Sequence, residues 1–273
     1  MIPAGFEYVR AASADEAIAA LGEHGDEAKL LAGGMSLIPL MKLRLATPSV
    51  LVDVGRVADL SYIRDAGDAL AVGALTRHRD IETSGLLAEH CGVLRAIAGQ
   101  VGDNQVRHRG TIGGSVAHGD PASDLPAALL ALDATFVVRG RGGERTIPGA
   151  DFFQGFLETA LAPDELLTEI RVPKTGPRGY SYQKFNRRAQ DWAIVGAVAV
   201  RNGSTRVALV NMGTTPLRAR AVEAALAAGA SPQEASQHAA EGADPAGDLN
   251  ATPEYRGHLA RVLTRRALEE AAS

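Results

Sequence analysis

Two glycine pairs constrain this chain more than any other feature: Leu31-Ala32-Gly33-Gly34-Met35-Ser36 and Thr111-Ile112-Gly113-Gly114-Ser115. Each sits beside an apolar stretch and is followed by a hydroxyl residue. Adjacent glycines open positive φ to the backbone and remove the Cβ atoms that hold a ligand off. Successive N–H groups can then converge on one oxyanion, as a nest or at the start of a helix. A single Gly-Gly is used freely in ordinary turns. Two such loops, roughly eighty residues apart, point to a diphosphate gripped from both sides.

The usual nucleotide loops are absent: there is no GxGxxG and no GxxxxGK[ST]. Gly140-Arg141-Gly142-Gly143 imitates a fragment of one, but it falls between two strand-like runs and reads as a hairpin turn. The net charge of −4 and 4% aromatic content argue against a nucleic-acid surface. No apolar run has membrane-spanning length and the N-terminus has no leader character, so the cytoplasm is the expected compartment. A single cysteine, Cys91, excludes an internal disulfide and an iron–sulfur cluster held by this chain alone. The seven histidines form no HExxH pattern. His90-Cys91 reads as a buried thiol beside a surface imidazole.

At 273 residues the chain is long enough for two or three units. Ser13-Ala14-Asp15-Glu16 is a capping box opening a helix whose Ala17, Ile18 and Leu21 share a face. Lys29 to Ala32 and Ser49 to Val54 read as buried strands flanking the first glycine pair and a short helix from Ser36 to Leu43. That is a small βαβ unit over residues 1–56. From 57 to 175 the pattern is α+β with a largely antiparallel sheet: a hairpin over Leu60 to Val72, helices over Thr76 to Ile81, Gly92 to Val101 and Leu125 to Leu132, a second hairpin over Thr135 to Ile147, and a strand over Glu165 to Val172. Asn104 to Gly110 is polar and basic and leads into the second glycine pair. Pro173-Lys174-Thr175-Gly176-Pro177-Arg178-Gly179 is the linker. Residues 179–273 then carry three strands (Tyr180 to Phe185, Ala193 to Arg201, Arg206 to Met212), with Asn202-Gly203 as a hairpin signal. Helices follow over Ala219 to Ala228, Pro232 to Ala240 and Glu254 to Ala271.

Five side chains in or near the loops and beyond the linker have a chemical reading. Ser36, Thr111 and Ser115 can add hydroxyl contacts to a phosphate. Asp124 stands near the start of a helix, where it serves as an N-cap or as an acceptor for sugar hydroxyls. Lys184, on the first strand after the linker, reads as a solvated charge or as a cation that stabilises negative charge on a bound ligand.

Ala32-Gly33-Gly34-Met35-Ser36-Leu37-Ile38-Pro39-Leu40-Met41-Lys42-Leu43-Arg44 resembles the first FAD-binding signature of the flavin-carrying medium subunit of molybdenum hydroxylases, the family of carbon monoxide dehydrogenase and the xanthine dehydrogenases. Thr111-Ile112-Gly113-Gly114-Ser115-Val116-Ala117-His118, continuing to Asp120-Pro121-Ala122-Ser123-Asp124-Leu125-Pro126, resembles the second. Tyr182-Gln183-Lys184-Phe185, with Arg188 and Asp191-Trp192-Ala193, resembles the start of the family's C-terminal domain.

The resemblance implies an α+β, PCMH/vanillyl-alcohol-oxidase-type FAD-binding fold of two subdomains, plus a C-terminal α+β domain with a three-stranded antiparallel sheet. It implies that Ala32, Gly33, Gly34, Met35, Ser36 and Leu37 hold the FAD diphosphate with Thr111, Ile112, Gly113, Gly114 and Ser115. Asp124 would bind the sugar portion, Lys184 would lie by the isoalloxazine, and Val101 and Leu167 would be apolar flavin contacts. No catalytic side chain and no metal ligand is implied. Met35 stands where the family often has Gln or His, and Ser115 where it often has Asn or Asp; the shorter Ser115 costs one hydrogen bond, about 1 kcal/mol.

Electrons would pass from a large molybdopterin subunit through a small subunit with [2Fe-2S] clusters to FAD and on to an external acceptor, in a dimer of heterotrimers. CO, purines, N-heterocycles and aldehydes are the substrate classes the family offers. Two other classes compete on the residues alone: a self-contained flavin oxidoreductase of the same fold class, and a non-catalytic nucleotide-binding scaffold.

Overall fold

The computed structural model describes residues 2–272. The first sheet is parallel, with order β1-β3-β2, from β1 (Glu7–Arg10), β2 (Ala28–Leu31) and β3 (Val50–Asp53). Helix α1 (Ala14–His24) covers it with Ala14, Ala17, Ile18 and Leu21. Ser13 caps α1 by accepting from the Glu16 N–H at 3.1 Å, and the Glu16 carboxylate accepts from the Ala12 N–H at 2.7 Å. Between β2 and β3 the chain turns through the first glycine pair into α2 (Leu37–Lys42). The sheet gains β1, a short and mostly exposed edge strand that the sequence pattern does not announce.

The second sheet is antiparallel, with order β4-β5-β10-β6-β7. It comprises β4 (Ile63–Asp65), β5 (Ala69–Gly73), β6 (Thr135–Gly140), β7 (Gly143–Pro148) and β10 (Leu166–Pro173). Between β5 and β6 run six helices: α3 (His78–Thr83), α4 (Gly85–His90), α5 (Gly92–Ala98), α6 (Asn104–Arg109), α7 (Ile112–His118) and α8 (Asp124–Ala131). The polar segment before the second glycine pair is therefore helical. Its N-cap is Asp103, whose carboxylate accepts from the Val106 N–H. Every residue of α8 is buried, so it is a core helix rather than an amphipathic one. Each of its fully buried leucines is worth about 1.5–3 kcal/mol over exposure. After β7 come the short α9 (Gly149–Phe152) and the hairpin of β8 (Phe153–Gly155) and β9 (Glu158–Thr159).

The C-terminal sheet has four strands, not the three expected: β11 (Tyr180–Phe185), β12 (Val195–Asn202), β13 (Ser204–Val210) and the two-residue β14 (Leu217–Arg218), in sequential antiparallel order. Asn202-Gly203 makes the β12–β13 turn, with Gly203 at φ +73°. Beyond lie α10 (Arg220–Ala227), α11 (Pro232–Ala235) and α12 (Pro253–Ala271).

This sheet is buried on both faces, which is why β12 and β13 read as nearly continuous apolar runs. Val198, Val200, Ala208 and Val210 join the core built on α5 and α8, while Ala197, Ala199, Val207 and Leu209 join a second core under α10 and α12. The C-terminal unit is thus sealed onto the preceding one by a shared core.

Candidate functional site

The two glycine loops lie against each other. A Cβ built on Gly33 would sit 2.2 Å from the Arg109 carbonyl oxygen and 2.9 Å from Gly110 Cα, so no side chain fits there. One built on Gly114 would stand 3.9 Å from Ala32 Cβ. Gly34 holds φ +76°, a conformation that L side chains rarely adopt.

The loops differ in what they offer. Among the described residues, the amides of Gly33, Gly34, Met35, Ser36 and Leu37 have no hydrogen-bond partner in the chain. Gly33 is buried against the second loop, Gly34 and Leu37 are half-buried, and Met35 and Ser36 are exposed, so the row opens to the surface from Gly34 onward. The second loop's amides are spent internally. Ile112 N–H donates to Thr76 O at 3.0 Å, Gly113 N–H to Ala74 O at 2.8 Å, Ser115 N–H to Thr111 O at 3.1 Å, and Gly114 N–H to the Thr111 hydroxyl at 3.1 Å. The expectation of successive free amides in both loops is met by the first alone. What the second loop leaves available is the Thr111 amide and the Ser115 hydroxyl.

A strap from Ala74 to His78 fixes the second loop. It supplies the Ala74 and Thr76 acceptors just named, the His78 N–H donates to Gly110 O at 3.0 Å, and the Arg77 guanidinium donates to Arg109 O at 2.7 Å. The His78 ring packs directly behind Gly110. Burial, helped by the nearby Arg107 charge, pushes its imidazole down to about 4, and its Nδ1 is buried without a partner.

Asp124 and Lys184, sixty positions apart, meet directly. Lys184 Nζ donates to Asp124 Oδ2 at 2.7 Å and to the Gln100 carbonyl at 3.1 Å. The two side chains are 5% and 6% exposed, so Lys184 is a buried partner and not a solvated charge. The Tyr182 hydroxyl donates to the other oxygen, Asp124 Oδ1. Asp124 is the first residue of α8 and its carboxylate faces the C-terminal sheet; Ser123 occupies the N-cap position without a side-chain cap. Burial raises the Asp124 carboxyl, and Lys184 and Tyr182 act against that rise. Val101 follows Gln100, half-buried against the core around α5 and α8. Leu167 is 4% exposed in the same core and offers little surface.

A cavity of about 500 Å³ lies apart from this cluster, between the segment after α7 and the C-terminal unit. Asp120, Phe156, Arg187, Asp191, Trp192 and Arg256 are among its walls, with Trp192 67% and Phe156 65% exposed. Cys91 is fully buried and its thiol is pushed up by burial, which makes it inert.

Sequence reasoning placed the glycine loops, Asp124 and Lys184 but missed the Ala74–His78 strap and the contact of Tyr182 with Asp124. Tyr182 carries a readable signal, since it stands two positions before Lys184 on a strand and so on the same face.

Comparison with known proteins identifies the family. A family described as the FAD binding domain in molybdopterin dehydrogenase matches residues 4–175, and one described as the CO dehydrogenase flavoprotein C-terminal domain matches residues 180–271. The chain is 41% identical to the carbon monoxide dehydrogenase medium chain of Hydrogenophaga pseudoflava, covering 99% of this chain and 98% of that one. It is 36% identical to the 6-hydroxypseudooxynicotine dehydrogenase complex subunit alpha of Paenarthrobacter nicotinovorans, covering 99% and 96%. The solved carbon monoxide dehydrogenase from Hydrogenophaga pseudoflava superposes with a TM-score of 0.94 at 41% identity, over 100% of this chain and 99% of that one. Quinoline 2-oxidoreductase from Pseudomonas putida 86 superposes with a TM-score of 0.92 at 30% identity, over 100% and 99%. On two family matches that together span residues 4–175 and 180–271, and on relatives aligned along nearly its whole length, the chain belongs to the FAD-binding medium subunits of the molybdenum hydroxylases.

Proposed function

We propose that this chain is the flavin-carrying electron-transfer subunit of a molybdenum hydroxylase. It takes electrons from [2Fe-2S] clusters on a small partner subunit, fed by a molybdopterin on a large one, and passes them to an external acceptor. The observation that carries the reading is the row of five unpaired amides from Gly33 to Leu37 set against the second glycine loop. Such a row fits a diphosphate, which needs several donors. The single, buried Cys91 supports clusters on another chain, since a [2Fe-2S] centre needs four ligands.

In this reading Gly33, Gly34, Met35, Ser36 and Leu37 hold the diphosphate through their amides, with Ala32 setting the turn. Thr111 and Ser115 add a donor each, while Ile112, Gly113 and Gly114 keep the second loop rigid. Asp124 accepts from the sugar portion, Val101 and Leu167 border the ring, and Lys184 places a cation beside it. Bound FAD would supply the redox chemistry between the clusters and the external acceptor. The protein supplies position and charge. No helix among the described residues is long and apolar enough to cross a membrane, and we place the complex in the cytoplasm as a dimer of heterotrimers.

The test is the cofactor itself. The complex isolated from its host is expected to release one FAD per copy of this chain on denaturation. A complex that releases no FAD and takes up none when it is added would contradict the assignment.

A further inference from the structure

We propose that Tyr182 is a positioning residue of the flavin site: by donating to Asp124 it decides which way the Lys184 ammonium presents its free N–H. The inference rests on the reading above, in which Asp124 and Lys184 meet bound FAD.

The reach of Tyr182 depends on a slot in the neighbouring strand. Gly196 on β12 stands opposite Lys184 in the β11–β12 register. A Cβ built there would sit 3.0 Å from the Tyr182 hydroxyl oxygen and 3.1 Å from its Cε2, with Val210 also at 3.0 Å. The missing side chain lets the phenol lie across β12 and reach Asp124 Oδ1. Tyr182 joins the core that seals the C-terminal sheet onto α8, so its ring is fixed by packing as well.

The hydrogen-bond count gives the consequence. A buried carboxylate needs donors on its oxygens, and Asp124 has one on each: Tyr182 on Oδ1 and Lys184 on Oδ2. The phenol is a permanent donor, because burial and the adjacent carboxylate hold its ionisation well above the usual tyrosine range. An ammonium has three N–H groups. Among the described residues Lys184 gives one to Asp124 and one to Gln100 O, and the third remains for a ligand. Without the phenol, Oδ1 loses its donor. The ammonium is then drawn to bridge both carboxylate oxygens, and the third N–H turns away from the ring. Tyr182 thereby acts on the flavin without touching it.

The experiment is redox titration of the flavin in the complex as isolated, for wild type, Tyr182→Phe, Lys184→Met and the double variant. Tyr182→Phe keeps the ring, so the fold is retained. Its flavin midpoint potential is expected to fall by about 30 mV, a tenfold change in the two-electron reduction equilibrium. The double variant is expected to match Lys184→Met alone, since both changes act through one ammonium. Gly196→Ala, which keeps the hydroxyl but crowds it, is expected to shift the potential the same way and serves if Tyr182→Phe does not assemble. A Tyr182→Phe flavin with an unaltered potential, or shifts that add in the double variant, would overturn the inference and leave Tyr182 a packing residue. A wild-type complex without FAD would instead overturn the functional reading beneath it.

Discussion

Gly33 stands against the Arg109 carbonyl so closely that a β-carbon on it would lie 2.2 Å from the oxygen. The contact joins the first parallel sheet unit to the end of α6, and so brings a loop from near residue 33 beside one from near residue 111. Gly33→Ala is expected to force the two loops apart. Overpacking of this kind costs about 1–3 kcal/mol. FAD affinity should fall at least tenfold, since the open amides no longer face the second loop. Retained FAD with an unchanged melting temperature would show that the loops need not touch.

Gly34 answers a different constraint. Its φ of +76° excludes a β-branched residue, and a Cβ there would also meet Ile38 Cδ1 at 2.6 Å. Gly34→Val is expected to strip FAD while the C-terminal unit, with its own core under α12, stays folded. Cofactor content and limited proteolysis check both halves of this outcome.

The Lys184–Asp124 pair is buried on both sides. Removing one partner of such a pair leaves an uncompensated charge and costs about 3–5 kcal/mol. Lys184→Met is therefore expected to lower thermal stability sharply and to make the flavin harder to reduce. Adding Asp124→Asn should restore most of the stability but not the potential. Equal recovery of both would mean that the lysine has only a structural role.

His78 gives a pH dependence with a definite sign. Its folded-state value of about 4 lies below the ordinary 6.5. The unfolded chain therefore binds the proton more readily between those values. The contribution of this group to stability is full above pH 6.5, is lost as pH falls towards 4, and is level below that. The amount is on the order of 3 kcal/mol, because each tenfold difference in proton affinity is worth about 1.4 kcal/mol. Denaturation midpoints of wild type and His78→Gln across this window check it. The variant is expected to show a flatter slope between pH 6.5 and 4, and parallel slopes would contradict the assignment.

Much of this architecture is legible in the residues. The capping serine at Ser13, the glycine pairs, the Asn202-Gly203 turn and the doubly buried runs of β12 and β13 are local signals, and each lies where the pattern puts it. The failures share a cause, which is that polar contacts and strand pairing, not a periodic apolar pattern, define these elements. Helix α6 has a single apolar residue, Val106, and no periodicity. Its Arg107 is instead held by Glu82, by Asn104 and by the carbonyls of Val101 and Gly102. Strand β1 is mostly exposed and is defined by its pairing with β3. Strand β14 is two residues long. Within the site, the sequence could name both loops but not their inequality, because the acceptors that consume the second loop's amides lie on Ala74 and Thr76. The meeting of Lys184 with Asp124, and the slot at Gly196 that admits Tyr182, likewise belong to tertiary packing.

Amide hydrogen exchange with and without FAD tests the central claim most directly, because the two loops start from opposite states. The amides of residues 33–37, open in the chain, are expected to slow by tenfold or more when FAD binds. Those of Ile112, Gly113 and Ser115, already donating to Thr76, Ala74 and Thr111, are expected to change little. Bound FAD with unslowed exchange at 33–37 would contradict the claim that this turn grips the diphosphate.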